Sequence, residues 1–482
     1  MQTANTLIDE AMVADVVTEV LTRLRRPGDG GSSASASRVD GGNGHGVFTS
    51  VDAAVQAAAS AQRRLMQATL GDRGAAVECI REVMRRDREE LARIEFAETR
   101  LGRLDHKLEK LDLAAGVPGM EMLRSEAVSG DHGLTVTEFA PYGVLGVVTP
   151  VTHSVPTLGC NAIMMIAAGN SLVCNPHPSG ARCAAEATRR WNRAIRERIG
   201  IDNLICVIED PTIESATEIF RHPGVAMLCA TGGIGVARAA LASGKRAVVA
   251  GPGNPPVVVD ETADIEKAAK GIIAGAAYDN NLLCIGEKEV FVVERVGETL
   301  MAAMERNGGH RLTREDIDRF AKMFIHQDTK TGHYIPDKQM VGKDAWVLAE
   351  ALGIEVSRDV QLLFGVTDES NPLVPCEQMM PILPIVLVKD VDEAIEKAVT
   401  YEHGFKHTAV MWSRDVENLT KMGRASDVMI FVKNGPCMAG LGVRGEGYAS
   451  FSIASPTGEG VTSPLSFTRY RRCVMVDSLR IL

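Results

Sequence analysis

The chain has 482 residues, 45% of them hydrophobic and 24% charged, with a formal net charge of −10. This length allows two or three domains and a large core. The acidic balance argues against a general nucleic-acid binder, and none of the ten cysteines forms a CxxC pair, which argues against a zinc ribbon or a thioredoxin-type site.

No apolar run reaches the roughly 20 residues of a membrane span. The acidic, amphipathic start does not read as a secretory signal. Neither membrane nor nucleic acid is expected as a partner. Free thiols imply a reducing, cytosol-like compartment.

Leu7, Met12, Val16, Val20 and Leu24 recur at helical spacing over residues 1–26. A Gly/Ser-rich linker follows over 27–46. A short amphipathic helix on a tether does not bury its apolar stripe alone. Two readings stand: a docking tag for a partner shell or scaffold, or a segment that folds back on its own protein or stays unstructured.

Residues 50–112, rich in Ala, Arg and Glu, read as helices. Val136–Val148 reads as strands around the Pro141-Tyr142-Gly143 turn. Strand and helix then alternate: helix Thr157–Ala168, strand Ser171–Asn175, helix 179–199, strand Leu204–Ile208, helix 213–221, strand 225–229, helix 234–243, strand 246–249. Such alternation predicts parallel α/β structure. A second block, with strands near 256–259, 289–293, 383–388 and 429–432, predicts another α/β unit. The predicted division is 47–250, with a hairpin near 125–140, then 251–435, and a return segment over 436–482.

Several places carry chemistry. Cys284 ends the polar, turn-rich run Tyr278-Asp279-Asn280-Asn281-Leu282-Leu283, the setting of a nucleophile. Upstream, a hydrophobic strand turns at Ala250-Gly251-Pro252-Gly253-Asn254. That turn offers no carboxylate where a water-activating base could stand. A thioester made on Cys284 would lack such a base and need another acceptor. Thr231-Gly232-Gly233 joins a strand to a helix, where a phosphate or nicotinamide approaches the backbone; a plain turn reads equally well. Asn175-Pro176-His177-Pro178 is another such junction, structural or ligand-binding. Glu377 is a carboxylate in an apolar turn, a ribose contact or a backbone cap. His403 and His407 are four apart, but Gly404 interrupts the helix face and no third ligand is evident, so no metal site is expected.

In this order the motifs resemble the aldehyde dehydrogenase superfamily over residues 47–482. The likeness is greatest to its CoA-acylating branch, which includes propionaldehyde and acetaldehyde dehydrogenases of bacterial microcompartments. It is densest in GPGNPPVVVDETADIEKAA, AAYDNNLLCIGEKEV and KNGPCMAGLGVRGEGYASFSIASPTGEG. The resemblance implies an α/β fold with a Rossmann-type NAD-binding domain over 47–250, a catalytic α/β domain over 251–435 and small oligomerisation strands.

It implies Cys284 as nucleophile, and Thr231, Gly232 and Gly233 at the nicotinamide. Asn175, His177 and Pro178 fall at the adenosine, and Glu377 at the ribose. Ala250 and Gly251 replace the glutamate that activates water in the hydrolytic branch, so coenzyme A is the implied acceptor. The implied reaction converts a short aldehyde (propionaldehyde, acetaldehyde or lactaldehyde) with NAD⁺ and CoA to acyl-CoA and NADH. Hydrolysis to the free acid is the alternative, and a non-catalytic scaffold is a third reading.

One departure stands out. The branch usually places an asparagine after Thr149-Pro150 to hold the oxyanion, and here His153 occupies that place. A neutral imidazole N–H can donate the same bond. The Cys284 main-chain N–H and Asn161 are alternative donors. A nearby helix N-terminus is expected to lower the Cys284 pKa. The resemblance further implies a homo-oligomer, dimer or tetramer, with Val136–Ala140 and Cys473–Ile481 crossing between subunits. It also implies that residues 7–24 direct a cytoplasmic enzyme into a microcompartment. The choice between NAD and NADP stays open.

Overall fold

The computed structural model describes residues 44–329 and 332–480. The expected docking helix, and all of the linker before residue 44, lie outside these. Gly41–Leu482 forms one compact unit.

Two parallel sheets organise it. Valine, isoleucine and leucine runs bounded by turn residues make strands that are buried on both faces, as parallel sheets require. The first sheet contains β1 (Val47–Phe48), β4 (Val144–Thr149), β5 (Ser171–Pro176), β6 (Ile205–Ile208), β7 (Val225–Thr231) and β8 (Arg246–Ala250). Two further strands, β2 (Glu126–Gly130) and β3 (Gly133–Pro141), precede β4 and belong to a separate sheet. The order of the first sheet is β1-β6-β5-β4-β7-β8. The chain therefore runs outward from β4 through β5 to β6, then returns to the other side of β4 for β7 and β8. Helices Ser154–Ala167, Ala181–Ile199, Ile213–Arg221 and Ile234–Leu241 connect these strands.

The second sheet contains β9 (Pro256–Val259), β10 (Glu289–Val293), β11 (Gly309–Arg311), β14 (Leu362–Thr367), β15 (Ile382–Val388), β16 (Thr408–Trp412) and β17 (Ile430–Lys433). Its order is β11-β14-β15-β10-β9-β16-β17, every pair parallel. Two small hairpins stand apart: β12 (Ile325–Gln327) with β13 (Tyr334–Pro336), and β18 (Ile453–Ala454) with β19 (Gly460–Val461). The C-terminal strand β20 (Thr468–Val476) pairs along all nine residues of β3, and β2 lies on β3's other side. This strand begins and ends five residues before the expected Cys473–Ile481. The full-length ladder with β3, from Thr468 opposite Pro141 to Val476 opposite Gly133, fixes its register.

Strands β14 and β16 were not expected from the sequence. Helix Ser154–Ala167 starts three residues earlier than expected, because Pro156 lies within its first turn, where a missing N–H costs nothing. No helix among the described residues is long and apolar enough to cross a membrane.

Candidate active site

The two sheets present opposite ends to the chemistry. In the first, the marked residues follow the carboxyl ends of strands: Pro150–His153 after β4, His177 and Pro178 after β5, Gly232 and Gly233 after β7, Gly251 after β8. The connections from β4 and β7 leave in opposite directions across the sheet, and such a switch point opens a ligand crevice. In the second sheet the marked residues precede the amino ends of four adjacent strands. Glu377 precedes β15, Cys284 precedes β10, Gly253 precedes β9 and His407 precedes β16.

Gly253 is where these four loops meet. Its N–H donates to Glu377 Oε1 at 3.4 Å. A Cβ on it would overlap the Cys284 carbonyl oxygen and come within 3.1 Å of the His407 ring. Glycine is required here for close approach. The neighbouring Asn254 anchors the turn by donating to the carbonyls of Val374 at 3.0 Å and Tyr401 at 2.8 Å.

The loop into Cys284 is an unusual piece of backbone. Asp279, Asn280 and Asn281 take φ of 48°, 54° and 64° in succession. Asp and Asn tolerate this left-handed region better than other side-chain-bearing residues. Each such residue still costs on the order of 1 kcal/mol or more and persists only if its surroundings fix it. They do so here. Asn281 Nδ2 donates to Ala276 O and Glu287 O at 2.8 and 2.9 Å. Asn280 Nδ2 donates to Gly342 O and Asp344 Oδ1 at 3.0 and 2.8 Å. Asp279 accepts from the Arg103 N–H at 2.8 Å and pairs with Lys110. Beneath the loop, the fully buried Lys288 donates to Asn281 O at 2.9 Å and Leu283 O at 3.2 Å, and also meets Asn281 Oδ1.

Cys284 therefore follows the left-handed turn Tyr278–Asn281, and the lowering of its pKa expected from a nearby helix N-terminus is not found. Burial pushes its thiol up to about 12, with the Glu377 charge adding to the shift. Lys288 and the backbone N–H groups of Cys284 and Ile285 oppose it. At neutral pH the thiol rests protonated. Burial also pushes Glu377 up to about 7, against Lys288 and the Gly253 N–H. The surroundings of the sulfur thus do contain an acid. It comes from residue 377, whereas the end of β8 carries only Ala250 and Gly251.

His407 is fully buried, and burial followed by the Lys288 charge pushes its pKa down to about 4. Its Nδ1 lies 2.9 Å from Thr408 Oγ1, while Nε2 has no partner. His403 points elsewhere and bonds Pro375 O at 3.0 Å.

His153 precedes the first residue of its helix and is 5% exposed. Burial, then the charges of Lys110 and Lys107, hold its pKa well below the usual imidazole value. It is a neutral ring with an unpartnered Nδ1, 5.7 Å from the Phe451 ring. Asn161 is fully buried, accepts from the Ser452 hydroxyl at 3.1 Å and leaves its Nδ2 unpaired. Ser452 also lies 2.8 Å from Thr231 Oγ1, so one serine links the β7 turn to the Ser154–Ala167 helix.

The nucleotide-side residues separate by what their side chains do. Both ends of the Asn175 amide are engaged within the protein, with Thr212 O at 3.2 Å and the Ser215 hydroxyl at 2.5 Å. The His177 ring accepts from the Ser179 N–H at 3.1 Å and caps the short turn Pro178–Gly180. A Cβ on Gly233 would meet nothing within 4 Å, and one on Gly232 only Val236 at 3.9 Å. This β7 turn leaves space for a ligand to approach the backbone.

The sequence marked Cys284, His153, Glu377 and the turn that carries Gly253. It gave no role to Lys110 or Lys288, and it weighed His407 only as a metal ligand. The available signal for the lysines was position. Lys107, Lys110, Leu111 and Ala114 share one helix face, and Lys288 lies between two glutamates that lead into an apolar strand.

Two parallel α/β sheets with a cysteine-bearing loop before β10 agree with the aldehyde dehydrogenase resemblance of the sequence. The model of the Aldehyde dehydrogenase family matches residues 45–447, and the chain belongs to that family. Over 472 residues it is 42% identical to the acetaldehyde dehydrogenase (acetylating) EutE of Salmonella typhimurium, covering 98% of this chain and 99% of that protein. Its fold is similar to that of a Rhodopseudomonas palustris propionaldehyde dehydrogenase solved with bound CoA and an acylated cysteine. The TM-score is 0.88 and the identity 43%, over 91% of this chain and 100% of that one. A propionaldehyde dehydrogenase from the fucose utilisation microcompartment of Clostridium phytofermentans gives a TM-score of 0.88 at 41% identity, with the same coverage.

Proposed function

We propose that this chain oxidises a short aldehyde (propionaldehyde, acetaldehyde or lactaldehyde) with NAD⁺ and CoA, giving acyl-CoA and NADH through a thioacyl enzyme on Cys284. The observation that carries this reading is the pairing of Cys284 with a β8 end that bears no carboxylate. The acylated cysteine and bound CoA of the Rhodopseudomonas relative support it. The hydrolytic alternative lacks its base at Ala250–Gly251.

The residues fit the cofactors. Thr231, Gly232 and Gly233 receive the nicotinamide side. The strand end Asn175–Pro178 receives the adenosine side through its backbone, because the Asn175 and His177 side chains are already engaged. Glu377 reaches the ribose. NAD⁺, when bound, accepts the hydride.

Cys284 gives its thiol proton up to solvent, the one proton the overall reaction releases, and adds as thiolate to the aldehyde carbon. The resulting oxyanion is held by the Cys284 N–H and by His153, a neutral donor, or by Asn161 Nδ2. Loss of hydride leaves the thioester. Attack by the CoA thiol then releases acyl-CoA and restores the cysteine. Exchange of one thioester for another is nearly balanced, so the last step runs both ways.

Purified protein is expected to form NADH from a short aldehyde at useful rates only with CoA present, and Cys284→Ala is expected to abolish this. Rapid NADH formation with free acid and no CoA would overturn the acylating reading.

The first sheet is assigned to nucleotide binding and the second to thiol chemistry. Exposed Val128, Tyr470, Val474 and Val476 on the β2-β3-β20 sheet support assembly into a dimer or tetramer through that surface. Sedimentation equilibrium tests this, and a monomer would contradict it. Residues 7–24 are proposed to dock the enzyme to a microcompartment shell within the cytoplasm. Residues 1–46 fused to a fluorescent protein should give puncta in compartment-bearing cells; diffuse fluorescence would contradict that role.

A further inference from the structure

The two turns that would share the oxyanion, Thr152-His153 and Asp279–Cys284, come from different sheets, and one ammonium group joins them. Lys110 lies on the Leu104–Ala115 helix with its side chain fully buried. Its Nζ donates to the Thr152 carbonyl at 3.2 Å, one residue before His153. The same Nζ pairs with Asp279, the first of the three left-handed residues leading to Cys284. The other oxygen of Asp279 accepts from the Arg103 N–H at 2.8 Å, and its own N–H donates to His106 Nδ1 at 2.9 Å. One turn away on the helix, the buried Lys107 holds Glu95 at 3.0 Å. The second oxygen of Glu95 accepts from the Val155 N–H at 3.3 Å. One helix therefore fixes both sides of His153 and the head of the nucleophile loop.

Stability alone does not account for this arrangement. Burying an ion pair is roughly neutral or costly compared with apolar residues of the same volume. What a buried ammonium adds is direction. Its Nζ must reach both acceptors at once, which limits their relative placement, whereas a methionine would fill the space without holding either.

We infer that Lys110 is a positioning residue that sets the separation between His153 and the Cys284 backbone by bridging Thr152 and Asp279. This rests on the oxyanion role given to His153 above. A misplacement of 1 Å costs on the order of 100-fold in rate, so the bridge is kinetically significant even though it touches no reacting atom.

The test is a double-mutant cycle read by the pre-steady-state burst of NADH without CoA. One arm removes both charges together, Lys110→Met with Asp279→Asn, so that neither is left buried alone. The other arm is His153→Ala. The charge-free pair should slow the burst by about 100-fold in the wild-type background and at least tenfold less in the His153→Ala background. The KM for NAD⁺ should stay within twofold. Equal slowing in both backgrounds would overturn the positioning role while leaving the oxyanion role of His153 intact. A normal burst in His153→Ala alone would overturn both. Should the paired variant not fold, Asp279→Asn alone enters the cycle with the same two readings.

Discussion

Two glycine turns face the same chemistry and are built on opposite terms. Gly253, at the amino edge of the second sheet, has no room for a side chain, with the Cys284 carbonyl on one side and the His407 ring on the other. Gly233, at the carboxyl edge of the first sheet, has open space. The surroundings differ in the same sense. Around Cys284 lie buried Lys288, Glu289 and His407, with Lys110 paired to Asp279 behind the loop. Around the β5 and β7 turns, neutral hydroxyls and amides are satisfied among themselves. The side proposed to make and break bonds is packed around buried titratable groups. The side proposed above to take the nucleotide is neutral, with open space at Gly233.

That contrast can be broken most severely at Gly253. Gly253→Ala drives a methyl into the Cys284 carbonyl and should lower the NADH burst by about 100-fold or more, with the KM for NAD⁺ little changed. A normal burst would show that the crowding has no bearing on catalysis. Gly233→Val should do the reverse. The fold has space for it, so thermal unfolding stays within a few degrees while the KM for NAD⁺ rises about tenfold. An unchanged KM would remove the β7 turn from the nucleotide site.

Glu377→Gln sharpens the charge argument. Above pH 7 the carboxyl is largely ionised, and its charge raises the thiol pKa. Removing that charge should move the iodoacetamide profile of Cys284 to lower pH. A shift to higher pH would contradict this sign. The smallest effect is expected at Cys437. Its N–H donates to Glu287 at 2.8 Å, a bond that survives Cys437→Ala, so CoA-dependent activity should fall less than threefold.

Much of this contrast was legible in the sequence, for uneven reasons. Strands 256–259 and 289–293 and helix 213–221 have the expected bounds, because β-branched runs and a Thr212–Ser215 capping box mark them locally. Strand β14 was hidden by Gly365, which reads as a turn, and β16 by its polar start at His407-Thr408. Cys284 and Glu377 were visible because a polar approach or a lone acid among apolar residues is conspicuous. Lys110 was less conspicuous, because lysine in LDHKLEKLDLAA reads first as the solvated face of a helix, and only its shared face with Leu111 and Ala114 signals burial. Its partners, Thr152 and Asp279, are 42 and 169 residues away. The raised thiol pKa was illegible because burial, its main cause, comes from the packing of distant segments, with the Glu377 charge adding to it.

The most direct test of the account is mass spectrometry of the Cys284 peptide. Enzyme incubated with propionaldehyde and NAD⁺ without CoA should carry one propionyl group on Cys284, and adding CoA should remove it as propionyl-CoA. An unmodified Cys284 while NADH and free propionate accumulate would contradict the account.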